Sequence, residues 1–205
     1  MVKPRKSSGR EKPLWKTTVL GLAGSPVIKG NTDLLLDAFI RGATDAGALC
    51  EKVYVCTLHI APCDNGGGCW KTGRCTVNDD MVEIYPKLLS ADIIAIASPV
   101  YFMGLPAQLK AVIDRCQSVW VKRFILKNET NKKKRKGFFI SAGGGNYKDL
   151  FAGSKATVKS LFATIGARYC GDLLYPDAGG SGSIRNRPAA LKEARDAGKA
   201  LAESR

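Results

Sequence analysis

Residues 63–75 read Cys-Asp-Asn-Gly-Gly-Gly-Cys-Trp-Lys-Thr-Gly-Arg-Cys, three thiols within thirteen residues. Thiolates this close together can hold a metal cluster, and Cys63, Cys69 and Cys75 are the candidate ligands. Gly66 stands between the first two, where an even spacing would want one more thiolate. Zinc suits the stretch less well, because three sulfurs without a nearby histidine leave a structural site incomplete. His59, the one histidine of the chain, reads as an ordinary core or surface residue.

Three further stretches carry chemistry. Gly24-Ser-Pro-Val-Ile-Lys-Gly-Asn-Thr32 offers the hydroxyls of Ser25 and Thr32, the Lys29 ammonium, Gly30 and the Asn31 amide. With the open N–H groups of a following helix, these make a cradle for an anion, phosphate rather than carboxylate. Helix capping alone would not need a nine-residue loop that also carries Ser25. No Gly-Lys-Ser/Thr follows, so the loop is not a P-loop, and the dinucleotide pattern Gly-x-Gly-x-x-Gly is absent. Pro99, Val100, Tyr101, Phe102, Met103 and Gly104 form an apolar, aromatic stretch in a connection that should face solvent, suited to the edge of a flat heteroaromatic ring. Gly143, Gly144 and Gly145 let backbone approach a ligand closely, and Tyr147 adds a stacking face. Phosphate cradle, ring-edge loop and glycine loop together describe a site for a mononucleotide with a planar head group.

The elements that must position these loops alternate along the chain. Short apolar runs at 17–23, 52–55, 92–97, 137–141 and 169–175 read as strands. Helices are expected from Thr32, where Leu35, Phe39, Gly42 and Ala46 recur at helical spacing, and over 79–90, 148–166 and from Pro188. Pro106 opens another, with Leu109, Val112, Ile113 and Cys116 as its buried stripe. Five strands separated by helices predict an α/β fold with one doubly wound, five-stranded parallel sheet. In such a sheet, ligands sit at the carboxyl ends of the strands.

Composition sets the outer limits. The 205 residues suit one domain over 15–205, preceded by a disordered basic tail over 1–14. Neither a membrane-spanning apolar run nor a secretory signal is visible. Seven cysteines, an odd number in a chain too long to need stapling, predict reduced thiols in a cytoplasmic protein. Cys50, Cys56, Cys116 and Cys170 read as small core residues. The net charge of +14 concentrates in the tail and in the run Lys132 to Lys136. No aromatic residues interleave with those cations, so they read as solvated segments rather than a nucleic-acid surface.

The combination Gly-Ser-Pro-x-x-x-Gly-Asn-Thr, Ser-Pro-Val-Tyr-Phe-Met-Gly-Leu-Pro-Ala-Gln-Leu-Lys-Ala-Val-Ile-Asp-Arg and the cysteine loop resembles the flavodoxin-like NAD(P)H-dependent FMN reductases, and within them the iron–sulfur flavoproteins. The resemblance runs from residue 17 to about 175. It implies FMN with its phosphate at Ser25, Gly30, Asn31 and Thr32, its ring lined by Pro99 to Gly104, and Gly143 to Tyr147 on the far side. The family often carries a basic residue where this chain has Val27, and Lys29 stands in as the compensating cation. The family's cluster pattern is Cys-x-x-Cys-x-x-Cys-x5-Cys, onto which Cys63, Gly66, Cys69 and Cys75 fall in order. Three thiolates leave open a three-iron cluster, a four-iron cluster completed by water, Asp64 or another side chain, and a loop that keeps its scaffold without a cluster. The balance falls slightly against an intact cluster.

What the resemblance implies for function is an oxidoreductase that passes electrons from NADPH or NADH through FMN to a small acceptor such as a quinone or flavin. No side-chain acid or base is obligatory there, because the flavin carries the chemistry. Tyr101 and Tyr147 are expected to shape the acceptor site. The alternative is an iron–sulfur flavoprotein-type carrier exchanging electrons with an acidic, ferredoxin-like partner. A homodimer or homotetramer is expected in either case.

Overall fold

The computed structural model describes residues 16–128 and 134–204. The predicted tail, and Lys132 and Lys133 of the basic run, lie outside the described residues. Five strands, β1 (Thr18–Ala23), β2 (Leu49–Tyr54), β3 (Ile93–Pro99), β4 (Arg135–Ala142) and β5 (Ala167–Tyr175), form one sheet in the order β2-β1-β3-β4-β5. Every pairing is parallel. The helices are α1 (Asn31–Asp45), α2 (Gly68–Thr72), α3 (Met81–Ser90), α4 (Ala107–Arg115), α5 (Gln117–Trp120), α6 (Ala152–Ile165) and α7 (Pro188–Glu203). The expected α/β fold with a doubly wound five-stranded sheet is what the chain forms.

Apolar side chains of the central strands alternate between two cores, which explains why these strands read as unbroken hydrophobic runs. Leu20, Leu22, Ile94, Ile96 and Phe139 face the core shared with α3, α4 and α6. Val19, Ala23, Ile93, Ala95, Ala97, Phe138 and Ile140 face the core shared with α1 and α7. On the second face two glycines set how close the helices come. A Cβ at Gly42 would lie 1.8 Å from the Arg195 carbonyl oxygen, and one at Gly198 2.0 Å from that of Phe39. Backbone of α1 therefore touches backbone of α7, and no side chain fits between them.

Element boundaries differ from the pattern in instructive places. β4 starts at Arg135, inside the run that reads as solvated charge. Arg135 is 3% exposed. Its guanidinium donates to the carbonyls of Leu88 and Ala91 at the end of α3 and of Ile165 at the end of α6. Helix C-termini leave carbonyls without partners and carry partial negative charge, so one buried cation serves two helix ends. α6 begins at Ala152 rather than 148, because Asp149 turns the chain with φ +65° just before it. Cys116 is buried as expected, whereas Cys50, Cys56 and Cys170 are half-buried. Two of these sit on β2 and β5, the sheet edges, and the third in the turn after β2, so each lacks cover on one side.

Candidate functional site

The chain leaves β1 for β2 on one side and returns through β3 on the other, so β1 and β3 flank the point where strand order reverses. The loops beyond their carboxyl ends enclose an open cleft of about 220 Å³. Ser25, Val27, Gly30, Asn31 and Thr32 line it from the first loop, and Pro99, Val100 and Tyr101 from the third strand's loop. Ala142, Gly143 and Gly144 contribute after β4. Ala178, Gly179 and Ser181, from the loop after β5, complete the wall.

The part of the cleft nearest α1 is built by the start of that helix. Gly30 is its N-cap, so the N–H groups of Asn31, Thr32 and Asp33 open the helix with no intrahelical acceptor. Ser25 and Thr32 are 6% and 2% exposed and line the cleft beside them. Ser25 Oγ accepts the Val27 N–H at 3.0 Å, which holds the loop curled. Asp33 would place a carboxylate at the same helix end. Its Oδ2 takes the Lys29 N–H at 2.7 Å. Its Oδ1 lies 2.5 Å from Lys52 Nζ, an ion-pair contact rather than a directed hydrogen bond. Lys52 also bonds Asp37. Burial alone would depress the Lys52 ammonium, but Asp33 and Asp37 more than offset it and its pKa is raised. The acidic charge beside the start of α1 is thus paired with a cation.

Asn31 does not turn its side chain to the cleft as a free donor. Its Nδ2 donates to the carbonyls of Ala178 at 2.6 Å and Gly180 at 3.2 Å, and its Oδ1 accepts the Ile184 N–H at 3.0 Å. It ties the loop after β5 to the loop after β1. The other loops are joined in series: Ala178 N–H donates to Gly143 O, Gly143 N–H to Tyr175 O, and Val100 N–H to Ala142 O. The walls are therefore fixed to one another before any ligand arrives. Gly144 has open space on its Cβ side, so its backbone can meet a ligand directly. A cradle of open amides, two lining hydroxyls and a glycine wall fits a phosphorylated flavin such as FMN.

Six of the residues named from sequence are not among those lining the cleft. Lys29, with φ +61°, uses its N–H on Asp33. Phe102 and Met103 form the tip of a tight hairpin closed by a Tyr101–Gly104 bridge, both with positive φ. Phe102 is fully exposed at 105%. The hairpin is held from behind, where Ser154 Oγ donates to Gly104 O at 2.9 Å. Gly145 accepts the Asp177 N–H, and Tyr147 is exposed. Sequence reasoning missed Ala178, Gly179 and Ser181, although Gly179-Gly-Ser-Gly-Ser183 after a strand is a signal of the same kind as Gly143 to Gly145.

The cysteine loop is a separate feature between β2 and α3. Cys63 is exposed, Cys69 and Cys75 are half-buried, and all three are free thiols. Burial raises the Cys69 thiol pKa, and Cys75, Cys63 and Asp64 push it in the same direction. Arg115, the last residue of α4, anchors the base of the loop. It donates to Ala61 O at 3.0 Å and Val77 O at 3.1 Å and pairs with Asp79 at 2.5 Å. Burial alone would raise the Asp79 carboxyl, but the Arg115 guanidinium and the N–H groups of Ala61 and Met81 draw it below the usual carboxylate range. Trp70 packs edge-on against Trp120, 6.2 Å between centroids. Among the described residues no three His, Cys, Asp or Glu side chains are grouped to hold a single metal ion. The donor set, three thiols and the Asp64 carboxylate, cannot supply four thiolates.

A parallel sheet of this order, with an open cleft at its switch point, has the flavodoxin-like architecture. Residues 17–172 match the family described as NADPH-dependent FMN reductase, and the chain belongs to that family. It is 34% identical over 143 residues to an iron–sulfur flavoprotein of Methanosarcina thermophila, covering 70% of each chain. To an iron–sulfur flavoprotein of Methanocaldococcus jannaschii it is 36% identical over 111 residues, 54% of this chain and 57% of that protein. The solved structure of an NAD(P)H:quinone oxidoreductase from Methanothermobacter marburgensis superposes with a TM-score of 0.70 at 20% identity, over 93% of this chain and 98% of the other. That last likeness is one of fold.

Proposed function

We propose that the chain is an FMN-dependent oxidoreductase that passes electrons from NAD(P)H to a small acceptor such as a quinone or a flavin. The observation that carries this reading is the cleft at the β1/β3 switch point, which Asn31 and Thr32 at the start of α1 line together with Pro99, Val100 and Tyr101. FMN, when bound, supplies the hydride and electron chemistry. Ser25, Gly30 and Thr32 would hold the phosphate, and Asn31 would act through the 178–184 loop that it ties down. Pro99, Val100 and Tyr101 would lie along the ring edge, with Gly143 and Gly144 opposite. Tyr101, 46% exposed, and Tyr147, 58% exposed, are the aromatic groups available to a visiting acceptor. The Phe102 tip is the surface this reading assigns to a second copy of the chain, and sedimentation of wild type against Phe102→Asp tests it.

The experiment for the reaction is anaerobic titration of the FMN-loaded protein with NADPH and NADH. Bleaching of the flavin band by either, with recovery on adding a quinone, is expected. Bound FMN that neither nicotinamide bleaches would sink the reading. A second reading, an electron carrier serving an acidic ferredoxin-like partner, is favoured by one surface. Trp70, Trp120 and Phe124 cluster beside the cysteine loop, and the exposed Lys71, Arg74 and Lys122 surround them. Reduction by a ferredoxin but not by NADPH would favour that reading.

A further inference from the structure

The described residues that line the cleft include no lysine or arginine. The start of α1 offers open N–H groups and a partial charge of about half a unit, against about −1.5 to −2 on a phosphate monoester. Lys52 is committed to Asp33 and Asp37. A flavin phosphate seated there would still lack a cationic partner, and the chain carries a candidate just outside the lining.

Arg185 follows the loop after β5. Asn31 Oδ1 accepts the N–H of Ile184, so the residue before Arg185 is fastened to the first turn of α1. Arg185 Nη2 reaches Lys29 O at 3.5 Å, a long and weak bond. Lys29 O and Gly30 N belong to one peptide unit, which puts Nη2 within about 6 Å of the N-cap nitrogen of α1. That is inside the screening length of about 8 Å at physiological salt. Nη1 lies over Gly182, where a Cβ would come within 2.2 Å of it. Gly182, at φ +79°, is thus both a turn residue and the gap that the guanidinium uses. Arg185 is exposed and, among the described residues, pairs with no carboxylate. On its outer side it lines a groove of about 310 Å³ with Arg41, Lys192 and Arg195, whose one carboxylate, Asp37, is held by Lys52.

We propose that Arg185 is the specificity residue of the flavin site: its guanidinium binds the phosphate of FMN and so selects FMN over riboflavin. The inference rests on the flavin reading above and adds to it the source of the positive charge. Arginine suits the task better than Lys29, because its planar fork presents parallel N–H groups to two phosphate oxygens. Its one side-chain hydrogen bond is long, so turning from the outer groove to a phosphate costs little. The ties from Asn31 to Ala178, Gly180 and Ile184 gain a purpose, since they hold the segment that carries Arg185 beside the start of α1.

The test measures dissociation constants for FMN and for riboflavin by fluorescence quenching. Wild type is compared with Arg185→Met, Arg185→Lys, Lys29→Met and Arg41→Met, with circular dichroism to check that each is folded. Charge-assisted hydrogen bonds are worth about 10- to 100-fold in affinity, so Arg185→Met should lose about that factor for FMN and none for riboflavin. Arg185→Lys should recover part of the loss. Arg41→Met, which removes the same charge from the same groove, should bind both flavins as wild type does. The salt dependence of FMN binding should flatten in Arg185→Met. Equal losses for both flavins would mean that Arg185 only braces the loops, and an unchanged FMN affinity that it does not meet the phosphate. Either result overturns the proposal, as does a larger FMN loss in Lys29→Met than in Arg185→Met. If Arg185→Met does not fold, the ratio of FMN to riboflavin affinity in Arg185→Lys decides. Wild type that takes up neither flavin overturns the flavin reading itself, and the proposal with it.

Discussion

Asp33 is the residue on which the proposed phosphate site depends most indirectly. Its carboxylate lies at the helix end where a phosphate would arrive, and Lys52 cancels it from a neighbouring strand. Replacing Lys52 by Met should therefore weaken FMN binding by about tenfold and cost about 2 kcal/mol of stability, between the surface and buried extremes for ion pairs. Fluorescence titration and urea unfolding measure the two effects. Asp79 makes a prediction in pH. Its pKa is lowered in the folded chain, so its stabilising contribution is present above the ordinary carboxylate range and disappears as pH falls through the folded value. Thermal melts should show wild type well above Asp79→Asn near neutrality, with the gap closing in acid. At this scale the sequence was partly legible. Ser25, Gly30 and Thr32, singled out by type and spacing, line the cleft. The work of Asn31 did not, because its partners lie 147 and more residues away and are backbone atoms.

At the scale of elements, the alternating runs exposed all five strands, most plainly β1, β3 and the Phe138–Ile140 stretch of β4, whose apolar side chains pack into both cores. Boundaries failed where a charged residue had a buried task. Arg135 belongs by type to the basic run and by position to β4, and only the carbonyls closing α3 and α6 explain its burial. Arg135→Met should leave those helix ends unsatisfied and cost about 3 kcal/mol, within the range for stranding buried polar groups. Hydrogen exchange would show protection lost together in the last turns of α3 and α6. A drop confined to β4 would contradict this account. The loop after β5 went unread for a different reason: glycine and serine mark a turn equally well whether or not a ligand lies against it.

At the scale of the whole molecule, the chain carries a net charge of +14, and the ligand proposed for it is an anion. Electrostatic attraction raises encounter rates and fades as salt shortens the screening length to about 10 Å at 0.1 M. FMN association should slow about tenfold between about 10 and 300 mM salt while dissociation changes little, as stopped-flow quenching would show. Riboflavin, which lacks the phosphate, should be nearly indifferent to salt.

The backbone contact of α1 with α7 has a consequence for biogenesis. The first helix of the chain, α1, waits for α7 to be translated, so the backbone face around its Gly42 stays bare on the ribosome until residues beyond 188 have cleared the exit tunnel. A nascent chain stalled short of that point should engage chaperones and yield to protease, and completion of the final sixteen-residue helix should end both.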